Sequence, residues 1–407
     1  MQGLKYMLIA GESSGDTLAA ELVKALRASA LAGGTPAPPV FFGAGGPRMA
    51  AAGVELAMDL TRHAVVGIWE VLRHYRQFKA IFERLLRLAN ERQPDLIILV
   101  DYPGFNLRFA RAIKSRVRAR AGTFNNWSPK IVEYVSPQLW AWHESRVHQV
   151  ARDVDLMLTI FPFEPAWYAA RAPQLRVEFV GHPLIDRYAG GGPAKAGNPP
   201  AGTSRVLLLP GSRKREIHKH LPLMIEAARQ MRARQPLELR LVLAHETLAP
   251  VARHWLAAMP GLSIQVGQLD QALREADVVL AASGTVTMEC AFFGVPTVVL
   301  YRTSWSTYLL ARRLIKVRHI AMPNLLANET TYPEFIQSAA TPENLARAAL
   351  DLLNNRERRA LIQTKLAAVI ASLGPPGASQ RAARAIDALN DCAAPDRRPP
   401  APGRGPG

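Results

Sequence analysis

Short runs of largely apolar residues recur along the chain, and several close on a turn rich in glycine, serine or aspartate. Residues 6–10, 96–100, 131–135 and 156–160 are such runs, and the rhythm resumes at 205–209, 239–243, 263–266, 278–281 and 297–300. Between them lie segments whose apolar residues return every three or four positions, as Leu18, Leu22 and Leu26 do after the first run. Apolar runs too short for helices, alternating with helical patterns, predict parallel strands covered by helices on both faces. The middle stretch GGGPAKAGNPPAGTS has no apolar face and reads as a connection between domains. The expected class is α/β with two doubly wound, Rossmann-like domains, 1–188 and 205–373, joined by a linker at 189–204. A C-terminal helix within 374–394 is expected to pack back on the first domain. The Pro-, Gly- and Arg-rich tail, 395–407, is expected to be disordered.

Composition adds three constraints. With 49% hydrophobic and 20% charged residues over 407 positions, the chain can bury two ordinary cores. The formal net charge of +17 predicts attraction to anionic lipid, nucleic acid or phosphorylated small molecules, without choosing among them. The basic residues are scattered among apolar helices and form no nucleic-acid module, so nucleic acid is disfavoured. Cys290 and Cys392 give neither a disulfide framework nor a zinc spacing, which suits a reducing compartment. No apolar run nears the roughly 18 residues of a spanning helix, and 6–10 is too short for a signal-peptide core. A cytoplasmic protein with peripheral membrane contact is expected. The segment 65–88 is amphipathic with a basic face, and Ile68 and Trp69 at its start form a candidate lip for acyl chains. Trp305 with Arg312, Arg313 and Lys316 forms another candidate lipid surface, although core packing explains the apolar half of that helix.

Candidate chemistry gathers at the ends of predicted strands, where open α/β sheets bind ligands. The stretch 276–300 reads strand, turn, helix, strand, and its small-residue turn Ser283, Gly284, Thr285 opens a helix, an arrangement that seats anions. Glu289, amid apolar neighbours one turn beyond Thr285, suits the two hydroxyls of a ribose, or else caps its own helix. The turn Gly211, Ser212, Arg213 repeats this logic with a guanidinium fork added. Asp101 ends the run 96–100 before a Pro-Gly turn and suits a general base. Its rival role, capping the next helix, can be filled by Asn106. The first turn, GESSG, matches G-x-S-x-G, but a hydrolase built on Ser13 lacks an upstream oxyanion loop. Glu12 and Ser14 there suit sugar hydroxyls. The dinucleotide fingerprint is absent at this turn, which disfavours a nicotinamide enzyme. Asp153 and Asp155 resemble a metal-binding D-x-D but precede a strand instead of ending one, and the histidines lack a metal-ligand spacing. Trp140 and Trp142 suit either stacking on a ring or plain core.

Eight stretches in order carry a closer resemblance: AGESSGD (10–16), GIWEVL (67–72), DYPGFN (101–106), YVSPQLWAW (134–142), VGHPLID (180–186), LLPGSR (208–213), ASGTVTMEC (282–290) and PNLLAN (323–328). Together they resemble the lipid-A-disaccharide synthases over nearly everything but the linker and tail. Two departures stand out: Asn328 occupies a position where glycine is common, and the TFNNWSP loop is longer than usual. The resemblance implies the two-domain GT-B fold with the active site in the interdomain cleft. It implies inverting transfer of diacylglucosamine from UDP-2,3-diacylglucosamine to 2,3-diacylglucosamine 1-phosphate, giving the β(1→6) disaccharide 1-phosphate and UDP. It further implies Asp101 as base for the acceptor 6-hydroxyl, Arg213 and the 283–285 turn on the diphosphate, and Glu289 on the ribose. Ser212, Tyr301 and Asn324 join the donor set; Glu12, Ser14 and Asn106 join the acceptor set. No metal or other cofactor is expected, since Arg213 and a helix dipole can carry the leaving-group charge. The expected location is the cytoplasmic face of the inner membrane, held by an anionic surface; an oligomer is left open. The runner-up is another UDP-sugar enzyme of this fold, an N-acetylglucosaminyltransferase or an epimerase, with a Ser13 hydrolase third.

Overall fold

The computed structural model describes residues 3–34, 37–61, 75–120, 122, 124, 126–190, 202–256, 259–314 and 317–391. Ile68, Trp69, Lys316, most of the connecting segment and the tail lie outside the described residues.

Among the described residues thirteen strands form two all-parallel sheets, numbered here in chain order. The first sheet holds β1 (Lys5–Ala10), β2 (Val40–Gly45), β3 (Glu55–Asp59), β4 (Leu96–Val100), β5 (Lys130–Tyr134), β6 (Leu156–Thr159) and β7 (Arg176–Phe179), in the order β3-β2-β1-β4-β5-β6-β7. The second holds β8 (Ser204–Leu209), β9 (Leu237–Leu243), β10 (Leu262–Val266), β11 (Val278–Ala282), β12 (Thr297–Tyr301) and β13 (Glu334–Ile336), in the order β10-β9-β8-β11-β12-β13. Helices on both faces explain why the central strands are apolar throughout: Met7 to Ala10, Leu96 to Val100 and Val278 to Ala281 are all solvent-free. Strand order reverses between β1 and β4 in one sheet and between β8 and β11 in the other. Two neighbouring connections there leave in opposite directions and open a crevice at the carboxyl ends. The doubly wound expectation therefore holds for both halves, and the turns that follow these four strands are those singled out for chemistry.

Packing divides the chain into two compact units, one of Met1–Leu139, His143–Pro183 and Pro376–Gly407, the other of Trp140–Trp142 and Leu184–Pro375. The expected edge of the first domain was 188, yet all but the first residue of the helix Pro183–Tyr188 falls in the second unit. The reason is aromatic: the Tyr188 ring lies 5.3 Å from that of Phe292 and 5.0 Å from that of Phe293. The C-terminal helix Ala378–Asp391 belongs to the first unit. There Ser29 donates to Asp387 (2.5 Å), Asn390 to the Tyr6 hydroxyl (2.9 Å) and Arg381 to the Val180 carbonyl (2.7 Å). Asn328 closes the helix Met322–Ala327 with φ 53 and ψ 28, a left-handed cap where glycine is the usual choice and asparagine the next best.

Candidate functional site

In the first unit, β4 and β5 both end on strained backbone. Asp101 has φ 42 and Val135 φ 74, and the left-handed region is a genuine outlier for a β-branched residue. The ladder still holds them: the Asp101 N–H donates to the Tyr134 carbonyl (3.1 Å) and the Val135 N–H to the Leu158 carbonyl (3.1 Å). This turn puts the Asp101 carboxylate above the first turn of the helix Ser13–Ala32, where the Ser14 hydroxyl donates to its Oδ2 at 3.1 Å. Two glycines permit the approach. A Cβ on Gly11 would stand 2.3 Å from the Tyr102 ring, and one on Gly15 would meet the Val100 carbonyl at 3.2 Å and Asp101 Cβ at 3.7 Å. Burial lifts the Asp101 carboxyl to about 6, the Ser14 hydrogen bond opposes it and the nearby Glu12 charge adds to it. Such a carboxylate is mostly ionised at neutral pH yet far more basic than an ordinary aspartate. Burial and Glu12 also push the Tyr102 phenol up.

Glu12 and Ser14 thus stand beside Asp101, whereas the Asn106 side chain lies in the core. It is fully buried within the helix Pro103–Ala119, its N–H bonded to the Tyr102 carbonyl (2.9 Å), and it faces Glu133 of β5. No local pattern marks Glu133, which sits inside an apolar strand, and none marks Asp16. That buried carboxylate accepts from the N–H groups of Gly46, Arg48 and Met49 (2.9, 3.0 and 3.0 Å), fixing the turn after β2 to the first helix.

In the second unit, Ser283 to Thr285 join β11 to the short helix Val286–Phe292. Two first-turn N–H groups of that helix are taken up by the turn itself, Thr287 donating to the Gly284 carbonyl (3.1 Å) and Met288 to the Thr285 carbonyl (3.0 Å). A Cβ added at Gly284 would meet nothing within 4 Å, so the space over the turn is open. Ser283 looks inward instead, its hydroxyl donating to the Ile320 carbonyl (3.1 Å). Glu289 follows one turn on, its side chain 17% exposed. Burial pushes its carboxyl up, while Arg187 and the Tyr188 hydroxyl pull it down. Arg187 and Tyr188 both reach Oε1, at 3.5 and 3.4 Å. These two partners come from a helix some hundred residues earlier, and no local pattern announces them.

After β8, Arg213 is the N-cap residue of the helix Lys214–Arg232, where the Glu216 N–H donates to its carbonyl (3.0 Å) and the Glu216 side chain reaches back to it. The Glu216 carboxylate accepts from the N–H groups of Ser212 (2.9 Å) and Arg213 (3.3 Å) and from the Arg213 guanidinium (3.1 Å). The anion seat read into this turn is therefore held by an internal carboxylate. Buried His220 spans the ends of β8 and β12. Its Nδ1 pairs with the Pro210 carbonyl (2.9 Å), and its Nε2 accepts the Arg302 N–H (3.1 Å). Burial holds this imidazole below its usual range, consistent with a neutral ring. Tyr301, 37% exposed, packs 5.8 Å from it and feels the charges of Glu216 and Arg213.

Asn324, expected in the donor set, is engaged within the fold. It is solvent-free, and its amide donates to the Tyr332 carbonyl (2.8 Å) and Glu334 (2.6 Å) and accepts from the N–H groups of Thr331 (3.0 Å) and Tyr332 (2.7 Å). Glu334 in turn accepts from the N–H groups of Ile320 and Ala321, both at 3.0 Å. Asn324 therefore supports, at one remove, the loop that receives the Ser283 hydroxyl. The D-x-D pair is likewise engaged: Asp155 holds Lys114 (2.6 Å) and the Ile131 N–H (2.7 Å), and Asp153 holds Arg152 (3.1 Å). Trp305 is 61% and Leu309 57% exposed, with Arg312 and Arg313 exposed on the same helix, Trp305–Leu314.

Residues 6–388 match the lipid-A-disaccharide synthetase family. The chain is 39% identical to a lipid-A-disaccharide synthase of Trichlorobacter lovleyi over 93% of this chain and 96% of that one. It is 39% identical to one of Nitrosococcus oceani over 90% and 92%. Among solved structures it resembles a putative UDP-N-acetylglucosamine 2-epimerase of Listeria monocytogenes (TM-score 0.63, 17% identity, 98% and 99% covered). It also resembles Acinetobacter baumannii MurG (TM-score 0.52, 16% identity, 95% and 99% covered). These structural likenesses establish the GT-B fold.

Proposed function

The chain belongs to the lipid-A-disaccharide synthase family and is a hexosyltransferase of the GT-B class, and from that premise we propose how its own residues divide the reaction. Asp101 is the base. Ser14 holds Oδ2, which aims the other oxygen at the acceptor 6-hydroxyl. As that hydroxyl oxygen bonds to C1 of the donor sugar, its proton passes to Asp101, and the C1–O bond to the diphosphate breaks with its electron pair leaving on UDP. Attack opposite the leaving group inverts C1. The observation that carries this reading is a carboxylate at the carboxyl end of β4, beside the strand-order reversal, on strained backbone, with its proton affinity raised to about 6.

Arg213 and the N–H groups of the Gly284–Thr285 turn take the diphosphate, with Glu216 as the internal anion that the donor must displace. Glu289 takes the ribose hydroxyls, held in aim by Arg187 and Tyr188. Among the described residues no helix is long and apolar enough to cross a membrane. Trp305, Leu309, Arg312 and Arg313 support peripheral docking on an anionic leaflet, which we assign to the cytoplasmic face of the inner membrane. Incubation with UDP-diacylglucosamine and diacylglucosamine 1-phosphate tests the reading: UDP release must require both, and transfer to an unacylated acceptor would favour another UDP-sugar enzyme.

A further inference from the structure

Four carboxylates are buried in the described residues, and three have evident partners. Asp16 holds three backbone N–H groups, Asp153 an arginine, and Glu164 the Phe161 N–H at 3.1 Å. Glu133 is the exception. It lies in β5 between Leu99 of β4 and Met157 of β6, both solvent-free, on a sheet face that is otherwise apolar core. Neither of its oxygens meets a hydrogen-bond partner at good geometry, and neither does either amide atom of Asn106, the polar side chain that faces it. A buried polar atom left unpaired costs about 1–3 kcal/mol, so four together demand a reason.

Their chemistry is complementary in one protonation state only. A carboxylate can accept from the Asn106 Nδ2 but has nothing to offer Oδ1, which would face a negative oxygen. A carboxylic acid donates its O–H to Oδ1 while its carbonyl accepts from Nδ2, so all four atoms pair at once. Burial drives Glu133 the same way, well above the usual carboxylate range; the Asn106 contact opposes this and the Asp101 charge reinforces it.

The position of the pair matters more than its energy. Asn106 sits in the first helical turn after Asp101, anchored to the Tyr102 carbonyl. Glu133 adjoins Tyr134, whose carbonyl receives the Asp101 N–H. The pair therefore clamps the two backbone segments that flank Asp101, a residue whose left-handed conformation persists only where its surroundings impose it.

We propose that Glu133 and Asn106 form a neutral acid–amide pair that holds Asp101 in its strained, aimed conformation, making Glu133 a positioning residue for the transfer. The functional half of this rests on Asp101 being the base; the pair itself does not.

The test uses the full-length enzyme with both lipid substrates in mixed micelles, together with infrared spectra. The wild type should show a protonated-carboxyl C=O stretch at pH 8 that disappears in Glu133→Gln. Glutamine keeps both hydrogen bonds, so Glu133→Gln should retain kcat within about twofold. Glu133→Leu leaves Asn106 unpaired and should lower kcat about tenfold to a hundredfold with KM little changed, the range expected for a misplaced reacting group. If Glu133→Leu folds poorly, Glu133→Leu with Asn106→Leu removes both partners and restores the melting temperature but not kcat. Absence of the band, equal impairment of the Gln and Leu variants, or full kcat in the folded double variant would each overturn the pair or its role. Full activity in Asp101→Asn would instead sink the base assignment while leaving the Glu133 band in place, so the two failures are distinguishable.

Discussion

Replacing Asp101 by asparagine separates chemistry from folding at a single position. The change keeps the shape of the side chain, and asparagine tolerates the φ of 42 found there as well as aspartate does. It removes the proton acceptor, and loss of a general base costs about 10² to 10⁴ in rate. Stability should move the other way. The carboxyl is raised from 3.8 to about 6, so the fold favours its protonated form. That preference is fully present below about pH 4 and is lost as pH rises through about 6, leaving an ionised, poorly solvated group at pH 8. A shift of about 2 units corresponds to about 3 kcal/mol, and asparagine is relieved of that cost. At roughly 2–4 °C per kcal/mol for a domain of this size, the first unit should melt several degrees higher at pH 8 and unchanged at pH 4. The matching wild-type signature is a kcat/KM that rises with pH and levels above about 6. UDP release with both substrates saturating and melting curves at the two pH values decide it. Near-wild-type turnover removes Asp101 from the mechanism, and an unchanged melting temperature at pH 8 refutes the claim that its burial is costly.

Four further outcomes follow from the second unit. Glu289→Gln and Arg213→Ala should each weaken UDP binding by about 1.5–3 kcal/mol, read by calorimetry, as expected for a lost charge-assisted hydrogen bond. Glu216→Gln should tighten UDP binding severalfold, because it removes the carboxylate that occupies Arg213; weaker binding would show Glu216 to be a helix cap alone. Asn324→Ala should lower thermal stability by about 2–4 kcal/mol by orphaning the buried groups it joins, with the UDP affinity of the remaining folded protein falling less than in Arg213→Ala. Changing Trp305, Arg312 and Arg313 to Ser should reduce sedimentation with anionic vesicles, at about 1 kcal/mol per cation, and leave neutral vesicles less affected; equal binding to both vesicle types refutes the membrane role.

What could be read from the chain alone was local. Apolar runs closing on Gly11, Asp101, Gly211 and Ser283 announce parallel strands and their ligand-facing ends, because strand burial and turn chemistry are written in consecutive residues. Asn328 as a substitute for glycine also makes sense one residue at a time, once its left-handed cap is known. What lay beyond the sequence was pairing across the fold. Asn106 and Asn324 carry the look of ligand residues, yet their amides face Glu133 and Glu334, partners that only the packing of a helix on a sheet and the return of β13 bring near. Glu289 acquires Arg187 for the same reason: a polar group's role depends on which neighbour satisfies it. Glu133 shows this most sharply, since it stands inside the apolar run of β5, and only the strand register beside Leu99 and the facing Asn106 reveal a buried carboxyl close to Asp101.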